Sequence, residues 1–186
     1  MKRLALFLST IIFASVIGTV NGQNLASETK KEVRVEKKVE RKALRKLEGT
    51  VTSEFVRKAF YADFGNIPDV VFARRDFMDE ATFTKDGQET TAYYDYHGEM
   101  IGTTAIVTFE KVPLAGQLEI KKKYPGYKVE NVIFFDDNEA NDTDMVLYGV
   151  QFDDADNYFV KLSKDNKTLI LQVNPQGEIF FFKELK

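Results

Sequence analysis

Cysteine and tryptophan are absent from this 186-residue chain, and histidine occurs once. Without cysteine there is no disulfide, no thiolate metal site and no lipid-attachment residue behind a leader, so a Cys-linked lipoprotein is excluded. The lone histidine, His97, cannot build a zinc centre without other strong ligands. Nor does it belong to a nucleophile constellation, since no Ser-containing elbow is present. We read His97 as a solvent-facing turn residue. Long apolar runs are also missing beyond the first seventeen residues, so no later segment approaches the roughly 20 residues that span a bilayer.

What is present begins with an address. Lys2 and Arg3, the apolar run from Leu4 to Ile17 and the small, polar stretch Gly18 to Gly22 form the three parts of a secretory signal. Residues 1–22 are therefore expected to be a signal peptide cut near Gly22, leaving a periplasmic or secreted protein. Small domains exported by eukaryotes usually carry disulfides, so their absence points to bacterial export.

The formal charge of −3 conceals an asymmetry. From Glu28 to Glu48 nine Lys/Arg face five Glu, and from Gly49 to Lys186 fifteen Lys/Arg face twenty-four Asp/Glu. An acidic body repels nucleic acid, which gains its affinity by displacing counterions with cationic side chains. Residues 23–49 read as a charged arm or linker. Val35, Val39, Ala43 and Leu47 recur every four residues there, but the apolar stripe is thin and the charge dense.

Beyond the arm the same order of elements occurs twice. Thr52 is expected to cap a helix from Ser53 to Phe64, stopped by Gly65 and Pro68, and Pro113 opens a second helix that Pro125-Gly126 ends after Tyr124. Strands follow each helix: 70–76, 80–84, 90–96 and 100–109 after the first, and 129–135, 145–152, 158–162, 169–173 and 178–183 after the second. Asp86-Gly87 and His97-Gly98 supply turn chemistry between β-prone runs. Gly98-Glu99-Met100-Ile101 matches Gly177-Glu178-Ile179. The expected fold is α+β: two tandem repeats, 50–110 and 111–186, each a helix on a four-stranded antiparallel sheet, with a fifth strand in the second.

The helix ending in an aromatic, the step Tyr124-Pro125-Gly126-Tyr127-Lys128-Val129 into a strand, and the Asp86-Gly87 and Gly98-Glu99 turns resemble the PepSY-like exported bacterial proteins, whose tandem units are similar to the beta-lactamase inhibitor protein fold. The resemblance covers about Val51 to Lys186 and implies a curved sheet offered to another exported protein or peptide, such as a peptidase, for binding or inhibition. The known inhibitor is disulfide-bonded and this chain has no cysteine, so no functional residue is carried over.

With sixteen Phe and eight Tyr, aromatics are the best lead to a binding surface. Phe55, Phe60, Phe64, Tyr148 and Phe152 are expected in the core. Tyr94, Tyr96, Phe159, Phe180 and Phe182 fall on the opposite strand parities or beside charged neighbours and are the expected partner-binding residues, on a sheet face left open by the helices. The acidic loop 136–144 and the turn 153–157 offer oxygen ligands suited to weak Ca²⁺ binding, although Ala140 and Asn141 break the EF-hand pattern. No carboxylate pair lies in a recognisable cleft, so no enzyme and no cofactor are expected. Beside the binding module stand two other readings: a carrier holding a lipid, peptide or small ligand between the units, or an envelope-stress protein; and a Ca²⁺-dependent adhesive module.

Overall fold

In a computed structural model the chain is described from Lys46 to Lys186. The expected signal peptide and nearly all of the expected arm lie outside the described residues. These described residues fall within one compact unit, residues 41–186.

Helix α1 (Glu54–Phe64) precedes strands β1 (Val71–Arg74), β2 (Asp79–Lys85), β3 (Gln88–Tyr94) and β4 (Met100–Val107). Helix α2 (Leu114–Lys123) precedes β5 (Lys128–Asp137), β6 (Met145–Leu147), β7 (Val150–Phe152), β8 (Asn157–Lys164), β9 (Lys167–Val173) and β10 (Ile179–Leu185). Eight strands make one antiparallel sheet in the order β1-β2-β3-β4-β5-β8-β9-β10, while β6 and β7 pair only with each other. The fold is α+β, a mostly antiparallel sheet with two helices. Among the described residues no helix is long and apolar enough to cross a membrane.

Each helix is started by its own sequence signal. The Ser53 side chain accepts a hydrogen bond from the Val56 N–H at 3.3 Å, so the cap is Ser53 and not Thr52, which is buried. Gly65, at a φ of 77°, closes α1 by donating its N–H to the Tyr61 carbonyl. Val56 and Phe60 turn inward onto Ala81, Phe83, Ala92 and Tyr94. Phe55 does not join them. It is 77% exposed, a correction to its expected place in the core, because the inward stripe begins one residue later, 100° around the helix.

Helix α2 buries Gly116 and Ile120 over the second half of the sheet, where Val132, Val160, Leu162, Leu171 and Val173 complete the cluster. Gly116 is required there: a Cβ would stand 2.7 Å from the Val173 side chain.

Residues 145–152 correct another expectation. They form not one strand of the sheet but a hairpin ribbon, β6 and β7, paired Met145 with Phe152 and Leu147 with Val150. Its two-residue turn has positive φ at both centres, 51° at Tyr148 and 71° at Gly149, the combination that suits the right-handed twist of a tight hairpin. Asp86 and Gly87, with φ of 52° and 79°, do the same between β2 and β3.

Candidate binding surface

Both helices lie on one face of the sheet, and the sequence leads one to expect the other face open. Its centre is filled by the chain itself. Met145 and Phe152 of the ribbon pack against Tyr93, Ile101, Phe135, Phe159 and Ile170, which rise from β3, β4, β5, β8 and β9, with Met78 from the edge of β2. In a flat sheet β2 and β10 would stand six strand spacings apart, about 29 Å. Yet Val146 and Gly149 share a cleft with Phe77 and Met78 at the β1–β2 turn, and Lys183 of β10 donates its ammonium to the Tyr148 carbonyl at the ribbon tip. The sheet therefore curls around the ribbon, which plugs the hollow.

Polar bonds seat the insert at its base. Asp95 accepts the His97 and Glu99 N–H groups at 2.8 and 3.0 Å, shaping the β3–β4 turn. Asn141 reaches the Asp95 carboxylate at 3.4 Å, and Asn138 donates to the Met100 carbonyl at 2.7 Å. The two expected acidic loops meet here. Burial, followed by the charges of Asp154, Asp156 and Glu139, pushes the Asp137 carboxyl up to about 6. Asp136 is raised by burial and then by Asp156 and Glu139. Among the described residues no three His, Asp or Glu side chains converge as metal ligands.

The five aromatic residues expected to bind a partner do not share one surface. Tyr94 is fully buried on the helix side, its hydroxyl donating to Asp63 at 3.2 Å. Phe159 is fully buried beneath the ribbon, in edge contact with Phe152 and Phe182 at centroid distances of 4.8 Å each. Phe182 is half-buried as the flank of that cluster. Tyr96 is exposed in the β3–β4 turn, meeting His97 edge to face at 5.4 Å; with Phe55 and Leu47 the pair lines a cleft of about 520 Å³. Phe180 alone of the five is an exposed aromatic on a strand, 44% exposed on β10.

That strand gains a neighbour the sequence reading missed. Phe181 is 62% exposed on the helix side of β10, while Phe180 shows on the ribbon side. β10 ends the sheet order, so among the described residues its outer backbone groups have no strand to pair with. The opposite edge, β1, is four residues long and carries Arg74, the usual ways of blunting an edge. β10 is blunted only in its second half, by a bulge between Phe181 and Lys183 and by Lys183 and Glu184. Ile179 to Phe182 remains a free apolar edge. From it a row of registered residues crosses the ribbon side of the sheet, from Phe180 through Gln172, Phe159 and Ile133 to exposed Ile106.

No family model matches the chain and no curated protein matches it. Solved structures do. A DUF2874 family protein from Bacteroides uniformis aligns with a TM-score of 0.58 at 16% identity, over 73% of this chain and 89% of its own. A BLIP-like protein from Bacteroides fragilis aligns with a TM-score of 0.55 at 15% identity, over 73% and 87%. A Bacteroides eggerthii protein provisionally assigned to the periplasm gives 0.58 at 14%, over 73% and 88%. At such identities the likeness is one of fold, and the fold is similar to that of the beta-lactamase inhibitor protein.

Proposed function

We propose that this protein is a non-enzymatic exported binding module that takes hold of another exported protein or peptide at the free edge of β10. The observation that carries the reading is the exposure of Phe180 and Phe181 on the two sides of one edge strand. An extended segment added there would gain backbone hydrogen bonds from the edge and side-chain contacts from both aromatics. The resemblance to a BLIP-like structure and to a protein provisionally assigned to the periplasm supports both a binding role and an exported location, with the signal peptide at 1–22 as the route. The reading takes the chain as a PepSY-like tandem, α1-β1-β2-β3-β4 matched by α2-β5-β8-β9-β10, with the ribbon as an insert in the second unit.

The filled hollow argues against a carrier. The halves join through a ladder pairing Gly102–Val107 with Val132–Asp137, and Met145, Phe135 and Phe152 occupy the space above it. Capture from an envelope extract by the mature chain, compared with the Phe180→Ser/Phe181→Ser variant, tests the proposal. Loss of the same captured species in the folded variant is expected; equal capture would leave the β10 edge without a role.

A further inference from the structure

Helix α2 carries a second apolar stripe that its packing does not use. Gly116 and Ile120 face the sheet, whereas Leu114 and Leu118, one turn apart on the outer face, are 69% and 58% exposed. The last turn is Lys121, Lys122 and Lys123, of which Lys123 pairs with Glu119 at 2.7 Å, and the first turn holds no acid. Other elements bring more lysine to the same end. Lys164, in the β8–β9 turn, donates to the Pro125 carbonyl at 3.3 Å and stands 5.7 Å from the Tyr127 ring, with Lys167 as its register partner. Lys128 opens the adjoining strand.

Acid gathers at the far end of that strand. β5 opens with Lys128, which pairs with Glu130 at 3.4 Å, and ends at Asp136 and Asp137, beside Glu139, Asp154 and Asp156. Ten residues at about 3.3 Å each separate the two ends by roughly 30 Å. In a body with nine more acids than bases from Gly49 onward, Lys121, Lys122, Lys123, Lys128, Lys164 and Lys167 still outnumber Glu119, Glu130 and Asp165 at this end and leave it with an excess of positive charge.

We infer that this end of the molecule docks on an anionic lipid surface, with Leu118 entering below the headgroups and Lys121, Lys122, Lys164 and Lys167 meeting their phosphates. An exposed leucine, Leu118, beside the lysine-rich last turn of α2 combines the two ingredients of interfacial binding, one for insertion and one for attraction. The acidic end of β5 lies roughly 30 Å from this end, well beyond a screening length of about 8–10 Å, so its charge does not oppose the approach of the basic end. This surface lies on α2 and the β8–β9 turn, apart from the β10 edge residues Phe180 and Phe181 proposed to hold a protein.

The absence of native cysteine makes a local test available. An environment-sensitive fluorophore on Leu118→Cys, in the otherwise unaltered chain, reports this site even if other segments reach the vesicle. Vesicles of phosphatidylethanolamine and phosphatidylglycerol are expected to shift its emission to the blue, reversibly with salt, while a label on Asp154→Cys stays water-like. Adding Lys121→Glu and Lys122→Glu should reduce the partition by about tenfold or more, given about 1 kcal/mol of attraction per lysine. An unchanged Leu118→Cys signal on these vesicles would overturn the inference, as would an equal shift on pure phosphatidylcholine. Circular dichroism of each labelled variant confirms that it is folded before it is read.

Discussion

Phe152 of the ribbon meets Phe159 of β8 edge to face, with ring centroids 4.8 Å apart, and this contact joins the insert to the floor of the curled sheet. Both rings are buried, together with Met145 and Phe135, so the ribbon is part of the core. Phe152→Ala should cost about 3–5 kcal/mol, the range for truncating a buried Phe. Phe159→Ala should cost a similar amount, and the double variant less than their sum, because the two rings share one contact. Urea unfolding measures all three; a loss near zero for Phe152→Ala would mean the ribbon is only an appended loop.

Gly102 sits where β4 passes under the Phe135 ring. A Cβ there would fall 2.5 Å from the Asp136 carbonyl oxygen and within 2.8 Å of two ring carbons of Phe135. The backbone oxygen has no room to give way, since the β4–β5 ladder fixes it. Gly102→Ala is therefore expected to destabilise by about 1–3 kcal/mol, the usual cost of overpacking. A melting temperature equal to that of the wild type would contradict the register drawn between β4 and β5.

Asp137 gives the protein a pH dependence of unusual sign for a carboxylate. Its folded pKa of about 6 lies above the ordinary value of 3.8, so the native state holds the proton more tightly than the unfolded chain. Stability from this group therefore rises as pH falls through about 6 toward 4, and is lost as pH rises through 6. The side chain is only partly buried and solvent screens it, so the effect should be on the order of 1 kcal/mol. Asp137→Asn should be flatter between pH 7 and 5 in denaturant titrations. An unchanged slope would assign the effect elsewhere.

The helices and glycine turns were legible because their signals are local. Pro113, Gly65 and the Asp86-Gly87 pair each act through their own φ or missing N–H; the structure uses Gly65 and Asp86-Gly87 where the sequence places them, and Pro113 one residue earlier than expected, as the extended residue before Leu114. The ribbon was not legible. Its turn puts Tyr148, a residue type that seldom takes positive φ, where Asn, Asp or Gly would announce a hairpin, so 145–152 reads as one alternating strand. That single miss moved the surface: the expected open face became core, and Phe159 went under Phe152. Phe55 shows the same ambiguity on a helix. Phe55 with Ala59 and Val56 with Phe60 have identical spacing, and only tertiary packing selects the second pair.

Arg74 and Asp79 tie three segments together at the edge of the sheet, and removing either partner should not be equivalent. Asp79 is almost completely buried and accepts from Arg74 Nε and Nη2 at 2.8 and 2.7 Å, and from the Ser53 N–H at 3.4 Å, at the start of α1. Arg74 also donates through Nη1 to the Glu48 carbonyl at 2.6 Å, holding the segment in which Leu47 is buried and bonded through its N–H to the Asp76 carbonyl. Arg74→Met strands a buried carboxylate and frees the 46–50 segment, so it should cost about 3–5 kcal/mol. Asp79→Leu leaves a guanidinium that still reaches Glu48 and water, and should cost less. Replacing both should recover part of the loss, since no uncompensated charge remains buried. Denaturant midpoints at neutral pH decide it: if Asp79→Leu proves costlier than Arg74→Met, the carboxylate and not the arginine is the centre of the clasp.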